Sequence, residues 1–386
     1  MLNQELIEWL HLVLTPEIGS RRGKNLLEKF KTPKAILEAS LDEIAEIENI
    51  GREVAARIVD ERKKVELDHH LKLIERNDVK LIPLNSEAYP VNLKSIFDPP
   101  LVLFIKGEIL PQDYFSIAVV GTRLASFYGR TMAEKLSREL VEKGFTIVSG
   151  GARGIDTFSH QAALRAKGRT LAVLGCGLDI TYPQENKKLF EEIIGNGALV
   201  SEFPLSTRPD KGNFPMRNRI ISGLSLGVVV IEAPHKSGAL ITVTHANDQG
   251  REVFSIPGHA DSFVSKGSNQ LLREGAKLVE NADDVIEELE PILKSKINEL
   301  KADQTKLSRN AQDKEQKPKE PVMVKDSAAA SQEETAIYNH LCAQPLQIDE
   351  LVEKTNMDIP KISGILLQLQ LKRLIKQLPG KLYIRN

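Results

Sequence analysis

Residues 117–156 restrict the folds open to this chain more than any other stretch. An apolar run, Ile117 to Val120, is broken by Gly121-Thr122-Arg123 and passes through Gly129 into a helical pattern with Met132, Leu136 and Leu140 on one face. A second apolar run, Phe145 to Val148, ends in Ser149-Gly150-Gly151-Ala152-Arg153-Gly154-Ile155-Asp156, and helical spacing resumes from Phe158 to Lys167. Strand, glycine-bearing turn, helix and strand make a βαβ unit whose strand ends open toward one edge. The pattern continues. Thr170 to Leu174, Ala198 to Phe203, Val228 to Ala233 and Glu252 to Ile256 read as strands, separated by helical patterns over Glu185 to Ile194, Met216 to Gly223, Ala239 to Gln249 and Ser268 to Glu274. Near-continuous apolar strands alternating with helices predict an α/β fold: a mostly parallel, doubly wound sheet covered on both faces. Leu101 to Ile105 predicts an extra strand joining it.

The flanks differ in character. Residues 1–80 are helical and amphipathic, with breaks at Thr15-Pro16, Thr32-Pro33 and Ile50-Gly51. Leu14 to Ser20, leading into Leu26-Leu27, resembles Ile47 to Arg52, leading into Ala55-Ala56 and Ile58. Each reads as a helix-hairpin-helix, whose glycine turn presents backbone N–H groups able to hold a DNA phosphate; a small bundle that merely packs is the alternative. The first copy has Glu17 where such hairpins often carry glycine. After the α/β domain at 81–290, aromatics vanish over 291–332 while Lys, Glu, Gln, Ala and Ser dominate, which predicts a linker, partly helical at its start. Residues 333–386 regain order as three short helices and a Pro379-Gly380 hairpin, a winged-helix-like module. Its third helix carries only Lys361, Lys372 and Arg373 as cations, so DNA reading and protein docking are equally open to it.

Glycines, prolines and polar residues collect after each strand, at the edge where open α/β sheets bind ligands. The first turn, Gly121 to Ser126, lacks the G-x-G-x-x-G spacing that lets a backbone approach a pyrophosphate, and the next strand ends in Ser149-Gly150 instead of an acidic ribose ligand. No G-x-x-x-x-G-K-[ST] motif occurs either, so no dinucleotide or P-loop nucleotide cofactor is expected. The edge instead offers cations and hydroxyls: Thr122, Arg123 and Ser126; Arg153; Lys211, Arg217 and Arg219; and Lys236-Ser237-Gly238. Between Arg208 and Arg219 cations outnumber acids and surround Phe214, which suits a phosphodiester chain: cations meet phosphates and the ring meets a base. Lys211 and Phe214, in a loop between Pro209 and Pro215, are expected to serve one nucleotide step. Arg217 and Arg219 could instead brace the sheet by pairing with Glu202 and Glu232, which close what are expected to be neighbouring strands.

Six motifs then occur in order: Gly121-Thr122-Arg123, Ser149 to Asp156, Met216 to Gly223, Ser237 to Thr242, Pro257-Gly258 and Lys266 to Asn269. In order and spacing they resemble the DNA-processing protein A family (DprA/Smf), over about Ile117 to Ala276, and the flanking modules fit its longer members. Met216 departs from the pattern, since that family usually has arginine before Arg-Asn-Arg, and the edge loses one cation there. The resemblance implies a Rossmann-like domain with a SAM-like helix-hairpin-helix domain before it and a winged helix after it. It further implies a protein that binds single-stranded DNA, protects incoming strands and loads a RecA-type recombinase on them in natural transformation, and that forms a homodimer through its Rossmann-like domain.

A competing class is a Rossmann-like nucleotide hydrolase of the phosphoribohydrolase type, with Asp156, His160, Glu202, Glu232, His235 or His245 as acid or base. The Pro-Gly-Gly-x-Gly-Thr loop typical of those enzymes is missing, and His160 and His245 are expected on helices packed against the sheet, so no catalytic set is expected. A net charge of −1 leaves any basic surface to local patches. Cys176 and Cys342 lie far apart and predict neither a disulfide framework nor a metal site; His69-His70 reads as solvated. With no charged-then-apolar leader and no long apolar run, the chain is expected to be cytoplasmic and to have no membrane partner.

Overall fold

Strands form where alternate residues find a core on either side. Along Ser116–Val120, Ile117 and Val119 pack with Leu136 and Leu140, while Ala118 and Val120 pack with Ile220 and Val243 on the opposite face. The structure, a computed structural model, describes residues 3–296 and parts of 337–385, among them 346–355, 375–378 and 382–385. The expected linker beyond 296, Cys342, Lys361, Lys372, Arg373 and the Pro379-Gly380 turn lie outside the described residues. The chain divides into two units, Met1–Gln304 and Thr305–Asn386.

In the first unit the strands are β1 (Lys80–Pro83), β2 (Val102–Gly107), β3 (Ser116–Val120), β4 (Thr146–Ser149), β5 (Thr170–Val173), β6 (Gly197–Ser201), β7 (Gly227–Val230), β8 (Glu252–Ser255) and β9 (Lys277–Leu278). They form one nine-stranded sheet in the order β1-β2-β6-β5-β4-β3-β7-β8-β9. From β6 to β9 every pairing is parallel; β2 runs antiparallel to both β6 and β1. The upstream strand expected at Leu101 to Ile105 therefore joins the sheet one residue later, and β1 and β9 are strands that the apolar pattern did not announce. The order also corrects one expectation: Glu202 and Glu232 follow β6 and β7, which are separated by β5, β4 and β3 and are not neighbours.

Six helices precede the sheet: α1 (Gln4–Leu14), α2 (Ser20–Phe30), α3 (Pro33–Glu38), α4 (Leu41–Ala45), α5 (Arg52–Glu61) and α6 (Leu67–Arg76). The two hairpin turns are alike in backbone. Glu17 and Asn49 both take positive φ, 70° and 65°, two residues before Gly19 and Gly51, which start α2 and α5. Glu17 is held there although it has a side chain: its carboxylate meets Arg22 at 2.5 Å and Arg57 at 3.5 Å. The bundle's core, including Trp9, Leu26, Ile44 and Ile58, is continuous with Leu101, Phe104 and Leu174 of the α/β domain.

The remaining helices are α7 (Val91–Lys94), α8 (Phe127–Glu142), α9 (Ile155–Arg165), α10 (Lys187–Asn196), α11 (Asn213–Leu224), α12 (Gly238–Asp248), α13 (Lys266–Arg273) and a helix over 282–296. Of these, α11 begins three residues before the expected Met216. Pro215 falls in its first turn, where a missing N–H costs no intrahelical bond, so Phe214 sits on a helix start and not in a loop. In the second unit, β-strands Leu346–Gln347, Ile375–Leu378 and Leu382–Arg385 form an antiparallel sheet, and Ile337, Leu341, Leu351, Ile362 and Tyr383 share its core with neighbouring apolar residues.

Candidate nucleic-acid interface

The sheet order creates a crevice. From β3 the chain builds β4, β5 and β6 on one side and then returns to place β7 on the other, so the loops after β3 and β7 diverge. Ligands of open α/β sheets bind at such a switch point. Here it opens into a groove of about 600 Å³ whose walls include Arg123, Lys211, Phe214, Arg217, Lys236 and Ser237.

Each wall has a local cause. The β3 loop is pinned by backbone: Thr122 N–H donates to the Glu232 carbonyl at 2.8 Å, and the Thr122 hydroxyl accepts from Leu124 N–H at 3.2 Å. Gly154, at φ 76°, lets the β4 loop close on the Thr122 and Arg123 backbone, which a Cβ would strike. Arg123 is left exposed on the rim, its guanidinium 5.3 Å from the centre of the Phe214 ring. Tyr182 approaches the same ring at 5.7 Å between centroids. Phe214, Tyr182 and Arg123 thus make one continuous platform, and they also line a smaller cavity of about 40 Å³ with Gly150, Gly175 and Cys176. Lys211 and Lys236 are exposed and line the groove, as do Ser237, the cap of α12, and Gly238, its first residue.

Arg217 stands beneath the platform, 5.8 Å from the Phe214 ring, and is buried. Its Nη1 donates to the carbonyls of Gly150, at 2.6 Å, and Val173; Nε donates to Asn218 Oδ1 at 3.1 Å. A Cβ on Gly150 would lie 2.9 Å from its Cζ, so the glycine makes room for the guanidinium. Burial pushes its pKa down to about 10, opposed by the nearby Asp156, whose own carboxyl burial raises. Arg217 still lines the groove floor, where it supplies positive potential through a fixed, desolvated charge.

Two predicted contacts are placed elsewhere. Arg219 is a brace: its guanidinium pairs with Glu202 and lies 3.4 Å from Asp98, bonds the Ser20 hydroxyl at 3.1 Å, and is buried away from the groove. Burial, with the Asp98 charge adding to it, lifts the Glu202 carboxyl to about 7 against the pull of Arg219. Ser126 is committed as the cap of α8: its Oγ accepts from Gly129 N–H at 3.0 Å and donates to Glu232, whose other oxygen accepts Ser126 N–H at 2.9 Å. That buried carboxylate suits a helix N-terminus and ties β7 to α8 across the switch point. Glu232 therefore meets neither arginine. Arg153 is exposed on the groove's flank but already paired with Glu185.

Of the acid and base candidates, Asp156 lines the groove beside Arg217, while three others are engaged elsewhere. His160, on α9, is buried against the Thr170 hydroxyl at 2.6 Å, and burial drives its pKa down to about 3; Glu202 and Glu232 are engaged as described, and His245 lies on α12.

A family model for DNA recombination-mediator protein A matches residues 80–290, more than half the chain. The chain belongs to this family. Models of a SAM-like helix-hairpin-helix tandem and of the DprA winged helix domain match residues 12–64 and 320–381. Protein Smf of Synechocystis sp. is 34% identical over 409 residues, covering 100% of both chains. DNA processing protein DprA of Bacillus subtilis is 47% identical over 212 residues, 55% of this chain and 71% of that one. Among solved structures, DNA processing protein A from Streptococcus pneumoniae superposes with a TM-score of 0.65 at 37% identity, over 73% of this chain and 97% of that one. DNA processing protein A from Helicobacter pylori, described for its single-stranded DNA binding mode, gives 0.50 at 32% identity, over 55% of this chain and 97% of that one.

Three partners in or beside this DprA-family groove are not announced by sequence spacing. Tyr182, an aromatic beside Pro183 in the loop after β5, meets Phe214 across 32 residues of sequence. Asp156, an acid or base candidate by residue type, stands as the countercharge of Arg217. Glu185, at the start of a helical pattern in the sequence, pairs with Arg153.

Proposed function

We propose that the switch-point groove holds single-stranded DNA with little regard to sequence, and that the protein is a cytoplasmic, non-catalytic recombination mediator. It protects incoming strands in natural transformation, loads a RecA-type recombinase on them, and works as a homodimer through its Rossmann-like domain. One observation carries the reading: exposed Arg123, Lys211 and Lys236 share an open groove with the Phe214–Tyr182 platform. Cations pair with phosphates, and an aromatic face accepts any unstacked base. Arg153, Arg217, Thr122, Ser237 and Gly238 border the strand or shape its bed; Ser126 and Arg219 act by holding the fold. The 32% identical H. pylori protein, described for binding single-stranded DNA, supports the same assignment. No second class is favoured, because His160, Glu202 and Glu232 are each engaged in holding the fold.

The test is Lys211→Ala in the full chain, read by single-strand affinity over a salt series and by recombinase assembly on single-stranded DNA. One phosphate contact fewer lowers affinity for every sequence and reduces the slope of log K against log salt by about 0.7. Assembly of the recombinase falls in step. An unchanged slope with unchanged affinity contradicts the groove assignment; normal affinity with no stimulation of assembly by the wild type contradicts the mediator role.

A further inference from the structure

A second groove, of about 620 Å³, lies where the helical bundle meets the α/β domain, and it repeats the chemistry of the first. Phe97 is 70% exposed, unusual for a ring beside a buried Ile96 and the rigid Asp98-Pro99-Pro100 turn. Two cations from α2 hold it: Arg21 Cζ lies 4.9 Å from the ring centre, and Lys24 Nζ lies 5.8 Å away while donating to the Phe97 carbonyl at 3.1 Å. Arg21 and Lys24 are three apart and share one face of α2. Neither has a carboxylate within ion-pair distance among the described residues, whereas the intervening Arg22 is taken by Glu17. Glu28 and Glu48 also border this groove.

Cations without a carboxylate partner around an exposed ring are what an unstacked strand needs: phosphates find charge and a base finds a face. A duplex hides its base faces and leaves the ring unused. The brace joins this surface to the switch-point groove, because Arg219 bonds Ser20, the neighbour of Arg21, and pairs with Asp98, the neighbour of Phe97. Arg219 is five residues from Phe214 on α11, about 7.5 Å of helix rise. We propose that Arg21, Lys24 and Phe97 form a second single-strand contact, occupied by DNA that continues from the switch-point groove. This rests on the reading of that groove given above.

The experiment titrates the full chain, wild type, Arg21→Ala/Lys24→Ala and Phe97→Ala, with labelled oligothymidylate of about six and about thirty nucleotides, and with a duplex of about thirty base pairs. The short oligomer fills one contact only and binds all three proteins alike. The long one binds the double variant and Phe97→Ala roughly five- to tenfold more weakly than wild type. Its salt slope is smaller by about 1.4 in the double variant, two phosphates at about 0.7 each, and unchanged in Phe97→Ala. Long-oligomer affinity equal to wild type overturns the proposal. So does an equal loss for both lengths, which marks a general charge effect, or a larger loss for duplex, which marks a duplex surface. Wild type that binds neither oligomer fails the switch-point reading itself; wild type that binds the short one, with variants indifferent at both lengths, fails only this inference.

Discussion

Phe214 carries the groove's aromatic chemistry, and its half-buried ring separates two roles that substitution can tell apart. Phe214→Ala lowers single-strand affinity roughly tenfold or more, since stacking is worth about 1 to 3 kcal/mol per base, while Phe214→Trp is tolerated. Phe214→Leu is expected to keep the melting temperature near wild type without restoring affinity; recovery of both makes the ring a packing residue. Glu185 gives a prediction of opposite sign. It occupies Arg153 where a phosphate would sit, and this pairing raises the arginine's pKa and lowers the glutamate's. Glu185→Gln should therefore tighten single-strand binding and steepen its salt dependence, and an oligonucleotide titration showing weaker binding contradicts Arg153 as a contact. At this scale the sequence was legible for residue type but not for partner. Runs of cations and an aromatic marked the edge, yet nothing in spacing separated Arg217, on the groove floor, from Arg219, turned inward to Glu202.

Helices and strands were legible wherever burial is periodic. Strand order was not, because an apolar run records that it is covered on both faces and not which neighbour it pairs with. The antiparallel β1–β2 pair and the separation of Glu202 from Glu232 follow from that order. The start of α11 was missed because Pro215 reads as loop punctuation although the first helical turn accepts it. Two predictions belong to elements. Arg219 joins α11 to β6, the Asp98 turn and α2, so Arg219→Met leaves Glu202 buried without its countercharge and costs about 3 to 5 kcal/mol in denaturant unfolding. Full stability with lost DNA affinity would return Arg219 to the DNA contacts. On α9, His160 has its pKa depressed from 6.5 to about 3 by burial, with Arg217 adding to it. The unfolded chain takes up the proton first, so this residue's stabilisation is complete above pH 6.5 and is lost as pH falls toward 3. His160→Asn, which can still reach Thr170, should flatten the stability-against-pH curve in that window; an unchanged curve contradicts a buried neutral imidazole.

For the whole molecule, the net charge of −1 concealed a sorted surface: acids brace and cap the inside of the edge, while Arg123, Lys211 and Lys236 remain exposed along it. Among the described residues no helix is long and apolar enough to cross a membrane. Four of the six family motifs, those at Gly121, Ser149 to Asp156, Met216 and Ser237, bring residues far apart in sequence to the one groove at the switch point. The central claim is that this groove prefers an unstacked strand to a duplex. It is tested most directly by titrating the full chain with labelled single-stranded and duplex oligonucleotides of matched sequence and length over a salt series. The account predicts tighter binding of the single strand, similar for different sequences and falling steeply with salt. Equal or tighter binding of the duplex, unaffected by Phe214→Ala, would contradict it.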